Sequence, residues 1–219
     1  MDARWVLAVI VLWSCSLSIA SGMETQRDNA IELVDLEPSV ESTRPPYYDK
    51  AKRARYMVHK ANWGVIATVS TKPEMLGRPF PAPNSLADGP VGNGSGTPYF
   101  YLAMIDSTMH DVAKNPNVSV TLSEAEFSNI ADCAVTSKSD PENPLCARLV
   151  LLGKFVEVTD SAEMAFAKNA LFSRHPLMPS WPSSHDFRII KLDIDVLWII
   201  DFYGGGTFIS VQDYYNANP

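Results

Sequence analysis

Trp63-Gly64-Val65-Ile66-Ala67-Thr68-Val69-Ser70-Thr71 is the stretch that decides the fold class. Val65, Ile66, Thr68, Val69 and Thr71 all branch at Cβ. Such side chains are confined against the turn of a helix and pack well on a pleated surface, so the stretch predicts a strand. Pro73 ends it, because proline cannot donate to a ladder. Just upstream, Tyr47, Ala51, Ala54, Val58 and Ala61 recur at helical spacing, while Lys50, Lys52, Arg53 and Lys60 lie off that stripe. This predicts an amphipathic helix leading into the strand.

Working outward, strands outnumber helices. Gly77 to Gly96 is crowded with proline and glycine and predicts turns, with at most a short strand near Asn84 to Ala87. Tyr99 to Ile105 is a continuous apolar strand. Ser107 or Thr108 is placed to cap a short helix running to Lys114, ended by Asn115-Pro116, and Val118 to Leu122 alternates as a strand. Arg148 to Val158 is a long strand. Asp160-Ser161-Ala162-Glu163 has capping-box form and opens a helix to about His175-Pro176. Phe187 to Leu192 and Val196 to Phe202 are two further strands, and a short one follows Gly204-Gly205-Gly206 at Thr207 to Ser210. At least six strands with three helices predict a mostly β, α+β domain, a closed or nearly closed antiparallel barrel.

The full 219 residues suit one domain behind a leader. Trp5 to Ala20 is mostly apolar, follows Arg4 and ends in small residues, with Ser18-x-Ala20 or Ala20-x-Gly22 as cleavage spacings. Residues 1–22 are therefore expected to be a signal peptide. Ser14, Ser16 and Ser18 interrupt the run, which falls short of the roughly 20 residues of a membrane span. Residues 23–46, with six acidic residues, two arginines and three prolines, read as a flexible acidic lead-in, leaving 47–219 for the barrel. The apolar run Val196 to Ile200 is bounded by Asp195 and Asp201, so no membrane insertion is expected after cleavage. The formal net charge is −7 and no Lys/Arg cluster stands out, which speaks against nucleic-acid binding.

Cys15 belongs to the leader, leaving Cys133 and Cys146. In an oxidising compartment a bridge between them is the default, around a loop containing Asp140-Pro141 and Asn143-Pro144; the alternative is two separate buried thiols. Asn93-Gly94-Ser95 and Asn117-Val118-Ser119 are glycosylation sequons, the first in a glycine-rich loop and the second opening a strand.

No nucleophile elbow, His-Glu-x-x-His helix or P-loop is present, and no catalytic residue is assigned. Gly89 to Gly96 is a poor phosphate cradle, because Pro90 lacks an N–H and a strand follows where a helix is needed. The four histidines, at 59, 110, 175 and 185, are scattered, and no metal site is expected. The aromatic and prolines of Trp181-Pro182-Ser183-Ser184-His185 are expected to pin a loop to the barrel, and Arg174 to complement the dipole at its helix end.

Taken in order, several segments resemble the CREG family, secreted glycoproteins named as cellular repressors of adenovirus-early-gene-stimulated transcription. They are the Trp63 to Thr71 strand, Gly77-Arg78-Pro79-Phe80, Leu86-Ala87-Asp88-Gly89-Pro90, Gly96-Thr97-Pro98-Tyr99-Phe100-Tyr101-Leu102, Asp140-Pro141 to Leu145-Cys146, Arg174-His175-Pro176, Trp181 to His185 and Tyr214-Tyr215-Asn216. The resemblance implies a split β-barrel of the flavin-mononucleotide-binding, pyridoxamine-phosphate-oxidase type, usually a homodimer with flavin at the dimer interface. In such flavoenzymes the segment matching Met104 to His110 supplies Arg and Lys to the flavin phosphate. Here neutral Ser107 and Thr108 stand at those places. If flavin binds at all, Ser107, Thr108 and His110 are the residues near its phosphate, but two lost charge-assisted contacts make no cofactor the expectation.

The resemblance further implies a secreted or endosomal-lysosomal glycoprotein that regulates growth or differentiation without catalysis. Its implied partner is a receptor of the mannose-6-phosphate/insulin-like-growth-factor-II type. The sequons of vertebrate relatives lie near positions occupied here by Asp160, Asp193 and Asn216, none of which is a sequon. A flavin-dependent oxidoreductase of the same compartment is the competing expectation.

Overall fold

The computed structural model describes residues 44–127 and 131–218. The expected signal peptide and the lead-in up to residue 43 lie outside the described residues. Helix α1 (Lys50–Lys60) opens with Asp49 accepting the Lys52 amide, and its apolar stripe, Ala54, Met57 and Val58, is buried. Strands β1 (Trp63–Val69), β2 (Pro79–Ala87) and β3 (Tyr99–Ala103) follow, then α2 (Ser107–Val112), β4 (Asn117–Ser123), β5 (Arg148–Glu157), α3 (Ser161–Arg174), β6 (Phe187–Ile200), β7 (Thr207–Ile209) and α4 (Val211–Asn216). All strand pairs are antiparallel, in the order β3-β2-β1-β4-β5-β6-β7, and β3 also pairs with β6, so six strands close and β7 extends the rim. This is the split β-barrel.

Three elements differ from the sequence reading. The proline-rich stretch expected to be turns is the nine-residue β2, paired with β1 over seven positions. Pro79, Pro81 and Pro83 alternate, and the residues between them face β1: the Arg78 carbonyl accepts from Ser70 and the Leu86 amide donates to Asn62. The missing donors therefore point to the side where β3 pairs only at Leu86 and Ala87. The two expected strands at 187–192 and 196–202 are one strand, with Asp193 and Asp195 exposed on its alternating face. A fourth helix, α4, was not expected; the Ser210 hydroxyl accepts its Asp213 amide at 3.0 Å.

The barrel interior is filled by Ile66, Phe100, Leu122, Leu149, Leu151, Leu192, Leu197 and Ile199, closed at one end by α1 and Tyr214 of α4. A second apolar cluster forms where Ala167, Ala170 and Leu171 of α3 cover Ala87, Tyr99 and Ile189 on the outside. At about 25 cal/mol per Å² of apolar surface, burial in these two clusters is the main stabilising term. Asp160 caps α3 through the Glu163 amide at 2.8 Å. Arg174, expected to serve its own helix end, instead reaches across to the carbonyls left open at the end of α1, His59 at 2.8 Å and Ala61 at 2.7 Å. Trp181 stacks on Tyr101 with ring centroids 5.9 Å apart, which pins the α3–β6 connection to β3.

Candidate functional site

The segment that should grip a flavin phosphate is α2 and the turn before it. The residue that caps α2 is neither Ser107 nor Thr108 but Asp106, whose carboxylate accepts the Thr108 amide at 2.7 Å. A short polar residue in extended conformation before a helix does this readily. The consequence for an anion is adverse, because the amide it would use is taken and a fixed negative charge stands beside it. Ser107 is half-buried, Thr108 is buried with its hydroxyl unpartnered, and His110 is exposed. The three share one short helix and differ in exposure. No Lys or Arg lies between Met104 and Ala113. These residues do not fit a flavin phosphate.

What α2 does hold is Asp111, which the sequence reading passed over. Its buried carboxylate accepts the hydroxyls of Thr68 and Thr71 and the Thr71 amide, each at 2.7 Å. Burial pushes its pKa up, but the hydrogen bonds from Thr68 and Thr71, helped by Lys72, outweigh that and hold it below the usual carboxylate value. This cluster fastens α2 to the end of β1. Among the described residues no group of three or more His, Cys, Asp or Glu is placed to hold a metal ion.

A second surface lies on the outward face of the sheet. Register places Pro83, Val65, Thr121, Val150, Trp198 and Phe208 in one row across six strands. The next row runs Pro81, Ala67, Ser119, Leu152 and Val196. Phe208 is 73% exposed, Leu152 40% and Val196 37%, so a largely apolar band faces outward. Bands of this kind on a chain viewed alone mark contact surfaces.

The two sequon asparagines, Asn93 and Asn117, are both exposed. Cys133 and Cys146 are joined by a disulfide, their Cα atoms 4.9 Å apart, with both residues buried beneath the exposed 134–145 loop. Beside it, Glu124 is fully buried and accepts from Arg44, Arg53 and the Ala147 amide. Arg44 comes from the end of the expected lead-in, so residues 44–46 are attached to the barrel.

The sequence matches the family described as "CREG, beta-barrel" over residues 45–216. The chain belongs to the CREG family. It is 40% identical to Protein CREG1 of Gallus gallus over 179 residues, which is 81% of this chain and 91% of that protein. With Protein CREG1 of Homo sapiens it shares 40% over 173 residues, 79% of this chain and 76% of that one. Protein CREG2 of Mus musculus is 39% identical over 77% of this chain, which spans 57% of that longer protein.

Among solved structures, a heme binding protein from Mycobacterium smegmatis has a TM-score of 0.61 at 20% identity, covering 80% of this chain and 62% of that one. Campylobacter jejuni ChuZ gives 0.55 at 13% identity, covering 80% and 66%. At these identities the likeness shows the fold alone. In this CREG chain the disulfide and the barrel stand as the sequence implies, whereas Asp106, Asp111 and the outward band emerge only from the register and caps.

Proposed function

We propose that this chain is a secreted or endosomal-lysosomal glycoprotein that regulates growth or differentiation as a homodimer, through a receptor and without flavin catalysis. The observation that carries the non-catalytic reading is Asp106: its carboxylate occupies the amide, and repels the charge, that a flavin phosphate would need. Titration of the purified full chain with flavin mononucleotide is expected to leave flavin fluorescence unchanged; saturable quenching would overturn this reading.

The outward band supports the homodimer. A second copy laid on the rows containing Val150, Trp198 and Leu152 would remove them from water. Light scattering is expected to give a dimer for the wild type and a monomer for Leu152→Lys. A Leu152→Lys protein that remains dimeric would place the contact elsewhere. For the receptor, a mannose-6-phosphate/insulin-like-growth-factor-II type is the candidate, with Asn93 as the glycan position compatible with the dimer; Asn117 shares the outward face of Ser119 and Leu152, so a glycan there would compete with the contact. Binding that survives enzymatic removal of the glycans would point to a protein contact, for which the exposed 134–145 loop is the first surface to alter.

The competing reading, a flavin-dependent oxidoreductase, is favoured by one observation, the buried and unpartnered Thr108 hydroxyl. The same titration decides between the two.

A further inference from the structure

The glycine-rich loop from Gly89 to Gly96 closes on a pair of side chains, one fully buried and one partly so. Asp88, at the end of β2, is fully buried, and its Oδ1 lies 2.8 Å from Nδ1 of His59 on the last turn of α1. Oδ2 of Asp88 accepts the Gly96 amide at 3.1 Å, and its carbonyl accepts both the amide and the hydroxyl of Ser95. Both ends of the loop thus hang on one residue. Across the imidazole, the Gly92 amide donates to Nε2 at 3.2 Å. Gly94 lies so close that a Cβ there would come within 2.5 Å of Asp88 Oδ2 and of His59 Nδ1.

This geometry fixes the state of the ring. A backbone amide can only donate, so Nε2 must be bare, and the one ring proton of neutral His59 sits on Nδ1, donated to Asp88. A second proton would set an N–H on Nε2 against the N–H of Gly92, and that hydrogen bond cannot survive.

The other charged and titratable groups come from three elements. Arg174 of α3 donates to the His59 carbonyl and stands 3.9 Å from Asp88. Arg55, one turn earlier on α1, donates to the Gly94 carbonyl at 2.9 Å. Tyr214 of α4 donates to the Gly96 carbonyl at 2.6 Å, its phenol kept protonated by burial. Asp88, His59 and the arginines are anchored in helices or in the core, whereas the loop tip is open to water, with Val91 87% exposed. The tip is the part that yields.

We propose that His59 is a proton-operated latch on the 89–96 loop. The neutral ring holds the Gly92 amide, and acidification releases the tip, and Asn93 with it, while Asp88 retains the ring. The surface around Asn93 then differs between neutral and acidic compartments.

Hydrogen exchange read by mass spectrometry on the full chain tests this, with loop peptides corrected for intrinsic exchange and slow deuteration at imidazole C2 reporting the charge of each histidine. Loop protection is expected to fall about tenfold between about pH 7.5 and about pH 5, in step with protonation of His59, since one hydrogen bond is lost. In His59→Gln the loop should exchange alike at both pH values, while His110→Gln behaves as wild type. Loop protection that stays constant while His59 becomes charged would overturn the latch. So would a pH response that persists in His59→Gln. Should that variant fail to fold, the wild-type comparison of loop and imidazole still decides.

Discussion

Replacing Glu124 by Gln removes one charge from the interior without changing its volume. In the wild type the carboxylate takes two bonds from Arg44, at 2.7 and 2.8 Å, one from Arg53 at 3.0 Å and one from the Ala147 amide at 3.0 Å. Arg53 is the partner that matters: its side chain is 3% exposed, its Nη1 is held by the Pro45 carbonyl, and its Nε has no partner. Glutamine leaves that guanidinium buried beside another cation, Arg44, with no counter-charge in contact.

Breaking a buried pair in this way costs about 3–5 kcal/mol. Arg44 is 27% exposed and remains partly hydrated, which favours the lower figure, about 3 kcal/mol. With a urea dependence of about 2 kcal/mol per molar, the unfolding midpoint should fall by about 1.5 M. The assay is urea unfolding of the disulfide-intact full chain at neutral pH, followed by tryptophan fluorescence. A second variant separates charge from packing: Arg53→Met combined with Glu124→Met should be more stable than Glu124→Gln alone, because the fully buried guanidinium is gone and the charge left behind, Arg44, is 27% exposed and still donates to the Leu145 carbonyl. A midpoint shift below about 0.5 M, corresponding to about 1 kcal/mol, would refute the reasoning. So would a double variant weaker than the single one.

Asp111 has a folded pKa below its ordinary value, so its contribution is complete above about pH 4 and is lost as pH falls through the lower native value. Asp111→Asn should lose about 1.5–3 kcal/mol at neutral pH, with the gap to wild type narrowing in acid unfolding curves; a gap independent of pH would contradict this. Tyr99 behaves oppositely: burial, then the charge of Glu163, raises its phenol to about 12. Folding therefore holds that proton, and the stability it confers, present below about pH 10, should drain away between there and about pH 12, less steeply in Tyr99→Phe. Gly153 sits where the β5–β6 register shifts, and a Cβ there would lie 2.0 Å from the Asp193 carbonyl oxygen. Gly153→Ala should cost at least about 2 kcal/mol, and an unchanged melting temperature would show that the bulge relaxes freely.

How much of this was legible depends on whether the signal was local. Helix α1 follows from periodicity, α3 from its capping box and the proline that ends it, and β1 from Cβ branching, each within a few residues. Strand β2 was hidden because proline counts as a breaker in isolation, and only the spacing of Pro79, Pro81 and Pro83 at every second position reveals that a ladder is still available on one side. Asp193 and Asp195 looked like an interruption of β6, although they too alternate. Helix α4 carried a readable signal, Ser210-x-x-Asp213, in which Ser210 caps and its own hydroxyl reaches Asp213 at 2.7 Å.

At the candidate site, the depleted cation pattern of α2 was visible in the sequence. Asp106, the cap, stands one residue before Ser107, the cap that the sequence pattern suggests. The His59–Asp88 pair was out of reach, because 29 residues separate its members and only barrel closure brings them together. The outward band was disguised by β5 itself, where Arg148-Leu149-Val150-Leu151-Leu152 is apolar on both faces. Such a run predicts that something covers each side, without saying what.

The alternating prolines of β2 have a consequence for the molecule among its own kind. A strand with an unoccupied side is ordinarily a template on which another extended chain can grow, and crowded compartments select against it. Between Pro79 and Pro83 that side offers carbonyls but almost no N–H groups, so an incoming strand finds half of its hydrogen bonds missing. The barrel can thus leave its seam unpaired there without seeding fibrils.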